Sequence, residues 1–166
     1  MQRAPVLAVP PGLTSLRAVV AYDDEARALL TSLKNGDARH HVTALADALA
    51  GLPVPASAVV TWAPTSDERR RRRGFDQAEL LARALARRRR LPARRLLRRV
   101  PGPAQAGRTR ADRTANPAFR AGGRCPPVVV LVDDVATTGS TLSAAARALR
   151  AGGAIEVHAL VVARAA

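Results

Sequence analysis

Apolar positions along the chain follow two different periods, and the switches between them mark out alternating strands and helices. Residues 1–15 hold one apolar patch, Val6 to Val9, set among Pro5, Pro10 and Pro11, and predict no regular element. A short strand is expected over 16–21, around Val19 and Val20. Over 22–33, Ala26, Leu29, Leu30 and Leu33 share one helical face, and Asp23, Asp24 and Glu25 occupy the first turn, where the helix dipole favours acids. Lys34-Asn35-Gly36 stops that helix. A second helix over 39–50 turns Val42, Leu45, Ala46 and Leu49 inward and ends at Gly51 and Pro53. A strand over 57–63 ends at Pro64 and opens into a loop over 65–73.

Gly74 to Gln77 then lead into a helix reaching about residue 90, with Ala78, Leu81, Ala82 and Leu85 inward and Phe75 as a packing pin. A short strand over 94–100 precedes 101–127, a Pro-, Gly- and Arg-rich stretch without periodicity, expected as a flexible, functional loop. The unbroken β-branched run from Val128 to Val132 suits a strand buried on both faces of a parallel sheet. A helix over 141–151 with Leu142, Ala145, Ala146 and Leu149 inward, a stop at Gly152-Gly153 and a strand over 155–163 complete the pattern. Strands alternating with helices predict an α/β fold with a doubly wound, mainly parallel sheet flanked by helices.

Composition narrows this picture. At 166 residues with 48% hydrophobic but only 2% aromatic content, one domain spanning the whole chain is expected, its core built from Ala, Val and Leu. No apolar run is long enough to cross a membrane, and the patch before Pro10 is too short for a signal peptide, so a cytoplasmic location is expected. Cys125 is the single cysteine, which excludes an internal disulfide framework and reads as an incidental loop thiol. His40 and His41 are adjacent on a helix and so make a poor metal site; with His158, which has no visible partner, they read as structural or surface residues. The net charge of +14 is nearly all arginine, and 19 of the 26 arginines lie between Arg69 and Arg124, so the middle third carries the excess. Polyanion binding and solvated decoration both account for it. The lack of interleaved aromatics disfavours a base-stacking groove.

The chemistry concentrates at 128–141. The apolar run stops at two adjacent carboxylates, Asp133 and Asp134, and a loop of small, hydroxyl-bearing residues and Gly139 follows, with Ser140 or Thr141 able to cap the next helix. Backbone N–H groups converging in such a loop, aided by the helix dipole, cradle a phosphate. Ionised carboxylates only accept hydrogen bonds and suit the vicinal hydroxyls of a ribose about one sugar away. No Gly-Lys-Ser/Thr and no Gly-x-Gly-x-x-Gly is present, which excludes a P-loop and a dinucleotide fingerprint. Arg69 to Arg73 stand at the carboxyl end of another strand, the edge where open parallel sheets bind ligands.

Residues 129–141, four apolar residues, two acids, Val135-Ala136 and Thr137-Thr138-Gly139-Ser140-Thr141, resemble the phosphoribosyl-pyrophosphate (PRPP) motif of type I phosphoribosyltransferases. Tyr22, Leu33-Lys34, Pro64, Arg69, Arg73 to Gln77, Gln105, Arg113, Asn116, Phe119 and Gly152 to Val157 together resemble the competence-associated ComF branch. The chain departs from that branch in carrying Asp76 where Asn is usual and in lacking the four-cysteine zinc ribbon with which many members begin. The resemblance implies a type I phosphoribosyltransferase-like fold and a protein that transfers or recognises a 5-phosphoribosyl group. Its acceptor is open. It implies Asp133, Asp134 and Arg113 as catalytic residues and Ala136, Thr137, Thr138, Gly139, Ser140 and Thr141 around the 5′-phosphate. Thr65, Ser66, Arg69 and Arg73 would take the pyrophosphate, with Mg²⁺ arriving with PRPP and no metal held by protein side chains alone. The loop over 101–127 would close over the site. The implied partner is PRPP or another ribose 5-phosphate, with single-stranded DNA and a homodimer left open. The alternative reading is a non-catalytic PRPP or nucleotide sensor, or a single-stranded-DNA-binding competence factor.

Overall fold

A computed structural model of the chain describes residues 8–24, 26–28, 38–100 and 117–165. Along the chain the elements are β1 (Ser15–Ala21), α1 (Ala38–Ala50), β2 (Val59–Trp62), α2 (Asp67–Arg73), α3 (Gln77–Arg89), β3 (Leu97–Val100), β4 (Ala118–Ala121), β5 (Val128–Ala136), α4 (Ser140–Ala151) and β6 (Glu156–Arg164). Only the opening turn of the helix expected over 22–33 is described, with the Ala26 N–H donating to Asp23 at 2.8 Å; residues 25 and 29–33 lie outside the described part.

Four parallel strands pair in the order β1-β6-β5-β2, as the alternation of strands and helices requires. β5 is central because both its faces are apolar. Val130 and Val132 pack into one core with α1 and α3, while Val129 and Leu131 pack into a second core with α4. All four are fully buried, each burial worth roughly 1.5–3 kcal/mol. β5 runs further than the apolar pattern indicates. Asp133 and Asp134 lie inside the strand, because β6 continues beside it and pairs Asp133 with Val161, Val135 with Ala163 and Ala136 with Arg164.

Two expected loops turn out to be structured. Residues 67–73 form α2, because Ser66 caps it, Asp67 and Glu68 sit in its first turn, four arginines occupy its last turn and Gly74 closes it at φ 79°. Within 101–127, residues 118–121 form β4, which pairs antiparallel with β3 in a separate ribbon over the second core. Residues 101–116 lie outside the described part. Phe75 is only partly buried and belongs to neither core, so it is not the packing pin its aromatic character suggested.

Cys125 lies in the loop between β4 and β5, as expected, and is buried there, which raises its pKa. It packs where α4 ends. A Cβ on Gly152 would stand 2.7 Å from Cys125 Sγ, 2.8 Å from Ala121 Cβ and 3.3 Å from the Gly123 carbonyl. Gly152→Ala is therefore expected to destabilise the protein by about 1–3 kcal/mol, the usual cost of overpacking, read as a lower midpoint in urea at unchanged slope.

The arginine excess is partly structural. Arg88 pairs with Asp47, which raises the guanidinium pKa, and donates to the Thr43 carbonyl at 3.0 Å, tying α3 to α1. His158 does have partners: its Nδ1 lies 2.9 Å from Ser15 Oγ on the neighbouring strand and its Nε2 2.9 Å from Glu156. No described helix is long and apolar enough to cross a membrane.

Candidate functional site

At the carboxyl edge of the sheet, β5 and β2 deliver their following segments to one cavity of about 300 Å³. Its wall holds Asp133, Asp134, Thr137 and Thr141 from the β5 side and Thr65, Arg69 and Arg73 from the β2 side. These groups, up to 76 positions apart along the chain, meet because β2 and β5 are adjacent and in register from Val59–Val129 to Trp62–Val132.

The two carboxylates are held by their own backbone. The Asp134 N–H donates to Asp133 Oδ1 at 2.9 Å, and the Val135 N–H donates to Asp134 Oδ1 at 2.8 Å. Neither is consumed in an ion pair with a described residue. Asp133 is pushed well above the ordinary carboxylate range, first because burial disfavours its charged form and then because Asp134 stands beside it. A neighbour able to donate hydrogen bonds or bring positive charge would relieve that cost. Among the described residues no group of three or more His, Cys, Asp or Glu side chains forms a metal cage. Two adjacent carboxylates fit the alternative in which Mg²⁺ takes one or two protein ligands and fills its shell with substrate oxygens and water.

After Ala136 the chain turns into α4. Gly139, at φ 72°, is the N-cap and offers no side chain, so neither Ser140 nor Thr141 plays the capping part expected of it. Thr138 Oγ1 accepts from the Ser140 N–H at 3.3 Å and donates to Ser140 Oγ at 3.0 Å. The first intrahelical bond runs from the Ser143 N–H to the Gly139 carbonyl, which leaves the Thr141 and Leu142 N–H groups without acceptors among the described residues. Such uncapped donors suit an anion. Thr137 and Thr141 reach the cavity between β5 and β2. Ala136, Thr138 and Gly139 do not line it; with Thr137 they wall a second cavity of about 280 Å³ behind the loop, closed by Pro10 and Arg164, and Ser140 lines neither.

On the β2 side, Ser66 accepts from the Arg69 N–H at 3.3 Å, so its hydroxyl caps α2 and it does not line the cavity. Arg69 and Arg73 do. Arg113 lies outside the described residues.

Besides Tyr22, three polar residues of the cavity wall were not among the expected site residues. Asp76 is almost buried and accepts N–H bonds from Thr65 at 2.9 Å, Ala78 at 3.1 Å and Glu79 at 3.4 Å. Its carboxylate therefore caps α3 and also fixes the loop carrying Thr65. Burial outweighs these bonds and raises its pKa. Asp76 followed three residues later by Glu79 is a capping signature that could have been read. Arg99, from β3, is stacked over the Phe119 ring of β4 at 5.8 Å. Burial and the nearby Arg69 lower its pKa, while Asp133 and Asp76 attract it. Nothing local in the sequence marks Arg99, because the ribbon that carries it forms through long-range pairing. Gln77 is the third.

Residues 127–166, which hold β5, the loop, α4 and β6, match the phosphoribosyl transferase domain family. The architecture agrees with solved structures of that kind. The chain has the type I phosphoribosyltransferase-like fold. One similar structure is that of the allosteric regulatory enzyme of purine biosynthesis, and another is the glutamine PRPP amidotransferase from B. subtilis complexed with ADP and GMP. Each is 23% identical over 72% of this chain, with a TM-score of 0.51. The chain spans 25% of the length of those proteins. No curated protein sequence matches it.

Proposed function

We propose that the protein binds PRPP, or another ribose 5-phosphate, at the carboxyl edge of β5 and β2, and transfers or recognises its phosphoribosyl group. The observation that carries this reading is the shared cavity: an adjacent carboxyl pair, Thr141 from the uncapped start of α4 and three cationic side chains face one space. Thr137, Thr141 and the N–H groups opening α4 hold the 5′-phosphate. Asp133 and Asp134 accept from the 2′- and 3′-hydroxyls. Arg69, Arg73 and Arg99 stabilise the charge that builds on pyrophosphate as its bond to the anomeric carbon breaks. The Asp133–Asp134 pair would hold Mg²⁺ arriving with PRPP, and the ion would neutralise part of the same leaving-group charge. Arg113 and the rest of 101–116 are the proposed closing segment, which would exclude water from the sugar.

Calorimetry with PRPP and a pyrophosphate-release assay against a panel of bases and amines test the reading. Saturable PRPP binding is expected, and release that depends on one acceptor class identifies a transferase. Binding without release for any acceptor identifies a sensor. No binding of PRPP or ribose 5-phosphate sinks the proposal.

A second reading has its own observation. Arg70, Arg71 and Arg72 do not line the cavity and are exposed, as a surface that attracts nucleic acid would require. It would place the chain with the ComF branch in DNA uptake. Single-stranded DNA binding that weakens steeply with salt and is lost in an Arg70, Arg71, Arg72 to Gln variant is its test.

A further inference from the structure

Helix α2 carries Arg69 and Arg73 to the cavity, yet it has no apolar anchor of its own. None of its seven residues is buried, and neither core includes any of them. Pro64 and Asp76 are buried and no residue between them is, so the segment that holds α2 leaves the packed interior and returns to it. Hydrophobic packing therefore does not aim the two guanidinium groups. The caps at Ser66 and Gly74 bond to residues of α2 itself, so they shape the helix without joining it to the sheet.

Asp76 closes that excursion. Its Oδ2 accepts from the Thr65 N–H at 2.9 Å, across 11 positions and just outside the two caps of α2. Its Oδ1 accepts from the Ala78 N–H at 3.1 Å and the Glu79 N–H at 3.4 Å at the start of α3. The two oxygens thus have separate tasks. Capping α3 needs one acceptor, which Ser or Asn supplies equally well. The second oxygen is what a carboxylate adds, and its hydrogen-bond partner is Thr65. Charge gives no other reason for it, because burial disfavours the ionised form and a carboxylate in this wall repels an incoming pyrophosphate.

We propose that Asp76 is a positioning residue for the pyrophosphate end of the site: its Oδ2 clasps α2 over the cavity and so aims Arg69 and Arg73. It acts through Thr65 and needs no contact with the ligand. Arg99 comes from the β3–β4 ribbon and does not depend on the clasp. Nor does the phosphate end, which is built on β5 and α4. The assignment rests on the ribosyl reading of the cavity.

The test is calorimetry on the full chain with two probes, ribose 5-phosphate alone and inorganic pyrophosphate with Mg²⁺. In Asp76→Ser a single oxygen still caps α3 and leaves the Thr65 N–H unmet. Pyrophosphate affinity is expected to fall by at least about tenfold while ribose 5-phosphate affinity stays within about twofold, since a charged fork moved by an ångström loses its target. Amide hydrogen exchange should quicken at Thr65 and across α2 but not in β5. Removal of a negative charge alone would tighten pyrophosphate instead, and a damaged cap alone would lower the melting temperature with both affinities unchanged. Either result overturns the proposal, as does a parallel fall in both affinities or a parent that binds ribose 5-phosphate but no pyrophosphate. Asp76→Asn, which keeps the size of the side chain and offers one oxygen to all three N–H groups, is read in the same way should the first variant fold poorly. A parent that binds neither probe defeats the ribosyl reading itself, whereas pyrophosphate binding indifferent to Asp76 defeats only this assignment.

Discussion

Replacing Asp133 and Asp134 together by asparagine is expected to weaken PRPP binding by at least about a hundredfold and yet to raise the melting temperature of the ligand-free protein. Both effects have one cause. The pair stands at the end of β5 with no salt bridge to a described residue, and Asp133 is held well above the ordinary carboxylate range by burial and by Asp134. Asparagine keeps each Oδ1 available to the Asp134 and Val135 N–H groups, so the local backbone is preserved. It removes the unfavourable charge. The half-buried setting limits the gain to on the order of 1 kcal/mol, or about 2–4 °C.

The pH dependence has a definite sign. Asp133 has a raised folded-state pKa, so across the window from about 4 upward the native state keeps a proton that the unfolded chain has released. Stability therefore falls as pH rises through that window. In the double variant this component is gone. Its advantage over the parent should be near zero below about pH 4 and widen above it, in thermal unfolding scans across pH. A variant that bound PRPP as tightly as the parent would show that these carboxylates do not grip the sugar.

Gly139→Ala is the second large effect. Gly139 sits at φ 72°, where a Cβ costs about 1–2 kcal/mol, and that Cβ would lie 2.6 Å from Pro10 Cγ and 3.1 Å from Pro10 Cβ. Pro10 has little room to retreat, since the segment before it is fastened by Arg164 Nη2 donating to the Ala8 carbonyl at 2.6 Å. The loop must give instead. A melting temperature lower by about 3–8 °C is expected. Ribose 5-phosphate affinity should fall by about a hundredfold, because an ångström of misplacement undoes converging N–H groups. Pro10→Gly in the same background should recover part of the stability, since it removes the steric contribution and leaves the backbone one. If the pair of changes proves strictly additive, Pro10 does not buttress the loop.

Much of the architecture is legible because it is written in neighbouring residues. The uninterrupted run before Asp133 marks a strand buried on both sides, and helical spacing of Leu81, Ala82 and Leu85 or of Leu142, Ala145 and Leu149 marks the covering helices. The cradle is legible for the same reason, as acids, hydroxyls and Gly139 follow one another directly. The reading failed at 67–73, where the arginines drew attention from Ser66, Asp67, Glu68 and Gly74, ordinary start and stop signals for a short helix. It also failed at β4, whose four residues have no pattern until β3 pairs with them.

What the chain's sequence determines alone is therefore local: where the strongly patterned strands and helices lie, and that a turn of small, hydroxyl-bearing residues follows the acids of β5. Which side chains stand opposite that turn is decided by tertiary structure. Arg99 reaches Asp133 only through a ribbon joined across residues outside the described part, and Gln77 becomes an orphaned amide only once α3 is packed against the sheet. Periodicity records which face of an element is buried. It does not record which distant face will meet it, because strand order and register come from fitting two cores around one sheet.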